Sequence, residues 1–456
     1  MQKKELALQI VNPYSAGIDV GSRSYFVAVD QNAGHVKEFG VYTKDHLLLI
    51  AHLREAGVTT IAMESTGSYW QTLFNALQSA GFEVVLVNGS QTKNVKGKKT
   101  DVVDCLWIQK LHSLGLLSGS FILSDHLQQL RTYFSHRQHL IEQTSKYTNK
   151  MQKALRLMNI RLDIALNDIA GKSGMAIIKA ILAGERDPHH LAALVSNRTK
   201  KSREEIAVSL HGQWRPDLLF ELQACLSLYN MYEQAILECD RQLEAALLAH
   251  VPVNGQQAEQ PSLSLKGSRR MKVKRGPSFN VQQIAFAYFR TDLYEIPCVS
   301  HTTILCLLTN MGNDLPKFAS AKQFASWLRL VPDNKISGGR VISNKTPSGK
   351  NQIAHSLRQA ANTIGNQKAH PLTPFFKRIA YRRGRIAAIT ATARKLAIII
   401  WNMITKREPY RHFDYEKANQ KNKIQQLKNI QHRLLKLNLN TDELKTLFQR
   451  TSPSIT

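Results

Sequence analysis

The chain has 456 residues, far more than one compact core needs, so two or three domains are expected and a peptide hormone, a disulfide mini-scaffold and a simple repeat array are excluded. Its 61 Lys and Arg outnumber 34 Asp and Glu, and the net charge of +27 points to a polyanionic partner. With 43% hydrophobic and 21% charged residues the composition is that of folded protein, so the charge decorates folded domains and does not mark a disordered tail.

From Tyr14 to about Leu123 the pattern predicts an α/β domain (14–123). Ala16 to Val20 and Tyr25 to Asp30 read as strands around a Gly21-Ser-Arg-Ser turn, with a third at His35 to Thr43. A helix follows from Lys44 to Ala56, then a strand at Val58 to Met63, a helix near Ser68 to Ala80, a strand at Glu83 to Val87 and a helix from Asp101 to Leu114. Three strands followed by strand–helix alternation is the order of a ribonuclease-H-like domain.

The segment 125–250 reads as helical. Leu222, Cys225, Tyr229, Tyr232, Ile236, Cys239, Leu243 and Ala246 keep an unbroken 3-4 spacing, and Leu127, Leu130, Phe134, Ile141, Met151, Leu155 and Met158 keep a looser one. These are coiled-coil-like seams, open to a dimer contact or to two helices packed within one chain, with Gly184 to Arg203 as a turn-rich, basic interruption. Segment 251–280 carries Arg269, Arg270, Lys272, Lys274 and Arg275 with Glu259 as its only acid, and reads as a basic linker. A mainly helical domain (281–411) with an irregular insert from Val331 to Asn351 follows, then a polar basic tail (412–456).

Five single cysteines without a C-x-x-C pair suggest neither a zinc site nor a disulfide framework and suit a reducing compartment. The start, Met1-Gln-Lys-Lys-Glu, lacks an apolar leader, and the run Leu396 to Trp401 is too short to cross a bilayer, so a cytoplasmic protein with no membrane partner is expected.

Four acids stand at positions where α/β sheets form sites. Asp19, in Gly17-Ile-Asp-Val-Gly21, lies near the end of the first strand, and Glu64 follows Thr60-Ile-Ala-Met. Asp101 and Asp104 open a helix on one face. Such oxygen donors suit Mg²⁺ or Mn²⁺, the usual agents of phosphodiester chemistry. Singly, each has a bland alternative; Asp101, for instance, could be only a first-turn helix acid. In the insert, Ser337 precedes Gly338-Gly339, which would let its backbone approach another closely. Arg340, Lys345, Lys350 and Arg358 supply phosphate-binding charge nearby. On composition alone this is as well an ordinary phosphate-gripping loop.

Taken in order, Gly-Ile-Asp-Val-Gly, Met-Glu-Ser-Thr-Gly, Lys-Thr-Asp-x-x-Asp, Trp-Leu-x-Leu-Val-Pro, Ser-Gly-Gly-Arg and Leu-Arg-Gln-Ala-Ala resemble the DEDD transposases of bacterial insertion sequences over most of 14–411. The resemblance implies a RuvC-like N-terminal domain, a coiled-coil dimerisation segment and a C-terminal transposase domain that supplies a nucleophilic serine. By motif matching the metal carboxylates fall on Asp19, Glu64, Asp101 and Asp104, and the nucleophile on Ser337. It further implies a dimer or tetramer in the bacterial cytoplasm, recombining donor and target DNA under a structured noncoding guide RNA. Where that family carries a Gly-rich helix-hairpin-helix segment, this chain reads Ile296-Pro-Cys-Val-Ser-His301. The rival readings are a metal-only nuclease or junction resolvase and an inactive nucleic-acid-binding relic. A kinase-like ATPase lacks its second Asp-Gly phosphate loop here.

Overall fold

The computed structural model describes residues 9–92, 100–120, 124–196, 199, 201–251, 274–349, 351–368 and 370–411, with 424, 427–430 and 432 in the tail. The chain divides into two compact units, Met1–Ile122 and Leu123–Thr456.

The first unit is α/β. Its strands β1 (Ser15–Val20), β2 (Ser24–Ala28) and β3 (Lys37–Gly40) precede α1 (Thr43–Glu55), β4 (Thr60–Glu64), α2 (Trp70–Ser79), β5 (Glu83–Val87), α3 (Gly89–Thr92) and α4 (Asp101–Ser113). The sheet order is β3-β2-β1-β4-β5, antiparallel through β1–β2–β3 and parallel through β1–β4–β5. Alternation along the strands sorts Ala16, Ile18, Ile61, Met63, Val84 and Leu86 into a core with Leu49 and Leu53 of α1 and Leu73 and Leu77 of α2. The third strand is shorter than its apolar run suggests. Asn32 accepts a hydrogen bond from Gly34 N at 3.0 Å and winds Ala33–His35 into a single 3-10 turn, so pairing begins only at Lys37.

The second unit is mostly helical. Helices α5 (Asp125–Leu157), α6 (Leu162–Ala165), α7 (Lys172–Leu182), α8 (Pro188–Ala193), α9 (Arg203–Leu210) and α10 (Pro216–Ala249) make its first part. α5 and α10 run antiparallel: His126 stacks on His250 at one end, and Tyr147 on Tyr232 farther along. Most of both seams is buried within the chain, with Ile141, Tyr232 and Ala246 half-buried, so the periodicity is largely satisfied by α5, α10 and the short helices between them. The polar interruptions of the first seam have local partners: Arg137, 1% exposed, forms a bidentate ion pair with Asp240, and Thr144 donates to the Ile141 carbonyl. The stretch expected to be turn-rich holds α8, started by the Asp187 cap and Pro188 at its first position.

Of the basic linker, residues 252–273 lie outside the described residues. Its end is clasped to the first helical part: Lys274 bonds Asp168, in the loop between α6 and α7, at 2.5 Å, Arg275 bonds Glu233 of α10 at 2.9 Å and lies over Tyr229, and Ser278 N donates to Asp240. Helices α11 (Val281–Phe289), α12 (His301–Met311) and α13 (Ala321–Trp327), strands β6 (Lys335–Ser337) and β7 (Arg340–Ser343), and helices α14 (Gln352–Asn366) and α15 (Thr373–Lys406) complete the unit. The expected irregular insert therefore contains a β-hairpin. By length and composition α15 is apolar enough to cross a bilayer, and it buries Ala388, Ala393, Leu396, Ala397 and Ile400 in the unit's core. All but six residues of the 412–456 tail lie outside the described residues.

Candidate active site

The face of the sheet opposite the apolar core carries Ser15, Gly17 and Asp19 on β1 and Thr60, Ala62 and Glu64 on β4. Register pairs Gly17 with Ala62 and Ile18 with Met63; carried one residue further, it sets Asp19 beside Glu64 at the carboxyl ends of two adjacent parallel strands. Helix α4 crosses this face at very short range. A Cβ added to Gly17 would stand 2.3 Å from Gln109 N and 2.5 Å from the Cys105 carbonyl oxygen, so only glycine admits the helix backbone. Polar contacts fix the approach: Gln109 Nε2 donates to the Ser15 carbonyl at 3.2 Å, Asn12 Nδ2 donates to the His112 carbonyl at 2.7 Å, and His112 Nε2 lies 3.0 Å from Thr60 Oγ1.

This packing brings the amino end of α4 to the acid-bearing strand ends. Thr100 caps the helix by accepting from Val103 N at 3.3 Å, with Asp101 and Asp104 in the first turn, where the helix dipole favours negative charge. Burial, followed by the negative charge of Asp19 and then of Asp104, pushes the Cys105 thiol up to about 12. Asp19 and Asp104 are half-buried and Asp101 is exposed. Glu64 is held separately: its Oε2 accepts from Thr92 Oγ1 at 2.6 Å, while the Thr92 carbonyl accepts from Trp107 Nε1 of α4 at 3.1 Å.

The donor set fits a hard divalent cation in its chemistry. It consists of carboxylates, and the one nearby sulfur, that of Cys105 on α4, is fully buried. Convergence is partial. Among the described residues no three His, Cys, Asp or Glu side chains gather closely enough to hold one ion. Thr92, Trp107 and Cys105 were not legible as site residues, because they act through contacts that only the folded sheet creates.

Ser337 lies at the tip of the β6–β7 hairpin, opposite Arg340 in the register. Gly338 and Gly339 have φ of 55° and 76°, so they form a two-residue turn with both central residues left-handed. A Cβ on either would meet nothing within 4 Å. These glycines serve the turn, and the expected close approach of another backbone is not what they provide here. The hairpin is exposed up to Ser343, which is half-buried, with Ile336 at 62% and Ile342 at 70%. Lys345 closes its neck, accepting at its carbonyl from Asp333 N at 2.9 Å. Arg358, on α14, donates to the Arg329 carbonyl at 3.3 Å, and Lys350 lies outside the described residues. In the Ile296–His301 segment Cys298 takes φ 67°, a left-handed conformation usually left to glycine, and Ser300 caps α12.

Residues 16–160 match the family model of DEDD transposases of the IS110 type, and residues 291–373 match that of the transposases of the IS116/IS110/IS902 family. All four acids fall in the first match and Ser337 in the second. A transposase for insertion sequence element IS1111A from Coxiella burnetii (strain RSA 493 / Nine Mile phase I) is 30% identical over 122 residues. That similarity covers 26% of this chain and 33% of the relative, so the chain spans about a third of the length of the curated relative it matches.

Proposed function

Because the chain belongs to the IS110 family of insertion-sequence transposases, we propose that it cuts and rejoins DNA strands through a serine nucleophile on a RuvC-like, metal-dependent framework. The observation that carries this reading is the register that sets Asp19 beside Glu64 at the carboxyl ends of two parallel strands, with α4, whose first turn bears Asp101 and Asp104, packed backbone to backbone on Gly17 of the same face. Bound Mg²⁺ or Mn²⁺ would neutralise the scissile phosphate and stabilise the leaving oxygen. Asp19, Glu64, Asp101 and Asp104 are the residues that would hold it, with Thr92 orienting Glu64.

Ser337 Oγ attacks phosphorus; one backbone P–O bond breaks as the serine ester forms, and the hydroxyl proton leaves to solvent while the departing oxygen takes one up. A new strand's hydroxyl then reverses the exchange, restoring the serine and joining DNA without ATP. Arg340, across the hairpin, supplies positive charge to the phosphate, with Lys345, Lys350 and Arg358 as further contacts. A structured guide RNA and a dimer or tetramer belong to the same reading. The net charge of +27 supports the first.

The test is to incubate wild type and the Ser337→Ala, Ser343→Ala and Ser348→Ala variants with labelled site DNA, RNA and Mg²⁺, denature, and look for label on protein. An adduct in all but Ser337→Ala is expected. Loss in Ser348→Ala with retention in Ser337→Ala would move the nucleophile, and product without adduct in wild type would leave a metal-only nuclease.

A further inference from the structure

Between Asp333 and Glu408 the chain has no acidic residue, yet 15 Lys and Arg occur in that interval. The densest part is the first third of α15, where Lys377, Arg378, Arg382, Arg383 and Arg385 fall within nine residues. Arg385 is engaged within the fold: it donates to Asn362 Oδ1 at 2.7 Å and to Asn366 Oδ1 at 2.6 Å, and so ties α15 to α14 just after the helix breaks at Gly384 (φ 83°, ψ 167°). The other four are exposed and form no ion pair with a described residue, although Arg378 lies over the Phe375 ring at 5.8 Å. Charge density is high enough here that Lys395, lowered first by burial, is lowered further by Arg378.

In the middle of these cations stands Tyr381, 94% exposed. Helical spacing puts it one turn from Lys377 and from Arg378 on the same face, while Arg382 and Arg383 follow it in sequence around the helix. A folded chain gains nothing by holding a tyrosine ring in water among exposed cations, whereas an aromatic face flanked by arginines is the platform on which unpaired bases stack while their phosphates meet the charges. A duplex hides its base faces and would leave the ring idle.

We propose that the Lys377–Arg383 surface docks a single DNA strand, with Tyr381 stacking on a base and Lys377, Arg378, Arg382 and Arg383 holding the flanking phosphates. The inference rests on DNA being the substrate, since strand cleavage is what would expose unpaired bases. It requires no part of the serine chemistry.

The experiment measures binding of the full chain to a single-stranded DNA oligonucleotide, the same sequence as duplex, and its RNA counterpart, across a salt series. Tyr381→Ala should weaken single-stranded DNA binding about tenfold and leave duplex binding unchanged, and Tyr381→Phe should restore it. The pair Arg382→Gln and Arg383→Gln should lower the slope of log affinity against log salt by about 0.7 each. Wild-type single-strand affinity in Tyr381→Ala, or an equal loss on duplex, overturns the proposal; so does a loss confined to RNA, which would reassign the surface to that strand. Wild type binding no form of DNA would instead overturn the DNA-transposase reading on which the inference stands.

Discussion

Around Asp19 a helix backbone lies so close to the strand that one methyl group on Gly17 does not fit, whereas a methyl group on either glycine next to Ser337 meets nothing within 4 Å. The carboxylate end of the sheet is positioned by packing on both faces, and its side chains inherit that rigidity. The serine sits on an exposed ribbon whose shape comes from two backbone dihedrals. Carboxylates that share a site repel one another and need a scaffold to hold them near each other. The nucleophile proposed for Ser337 must reach a large polymer and needs access instead.

The largest expected effect tests the scaffold. Gly17→Val adds branched carbons where Gln109 N and the Cys105 carbonyl already stand, so α4 must lift from β1. A loss of about 3 kcal/mol, the upper end for overpacking, is expected in denaturant unfolding followed by circular dichroism. An unchanged midpoint would show that α4 moves freely over the strand and that Asp104 is not held near Asp19.

The sheet was legible because its strands are apolar and bounded by turn residues; Glu83–Val87 lies where the alternation puts it. Asp19 and Glu64 were recognisable as strand-end acids for the same reason. Gly17 was not recognisable as the contact point for α4, because a close approach between distant segments leaves no periodic trace. The α5 and α10 seams were plain in the spacing, but spacing names no partner, and the folded chain supplies one internally. The hairpin leaves little trace in the sequence, since β6 and β7 span only three and four residues and bury little. Its one signal was Gly-Gly flanked by Ile336, Val341 and Ile342, a pattern that admits a two-residue turn.

A smaller effect follows from His112, which is buried against Thr60 and held below its ordinary 6.5 by burial, with Glu83 opposing. The folded protein therefore keeps this ring neutral where the unfolded chain would protonate it. Its contribution to stability is present above pH 6.5 and is lost as pH falls below that value. Unfolding midpoints at pH 7 and pH 5 should differ more for wild type than for His112→Gln, while His46 and His52 titrate in both proteins and cancel. Equal pH dependence in the two would mean that His112 is accessible to protons and that the α4–β4 contact is loose.

The smallest effect on stability, and the sharpest on function, is expected at the hairpin turn. Gly339→Ala places a Cβ residue at φ 76°, a conformation that costs an L-residue about 1–2 kcal/mol. Because the ribbon is exposed and short, it can open without disturbing the unit's core, so global unfolding should shift by less than about 0.5 kcal/mol. The same strain should reduce the fraction of molecules with the turn formed, and covalent adduct at Ser337 should fall about tenfold. Gly339→Asn, which tolerates the left-handed region, should lie between alanine and wild type. Measuring adduct yield and melting temperature on the three proteins separates presentation of the serine from stability of the fold. If alanine gives full adduct with an unchanged melt, the turn is not what presents Ser337, and its contrast with the packed carboxylate end loses its functional meaning.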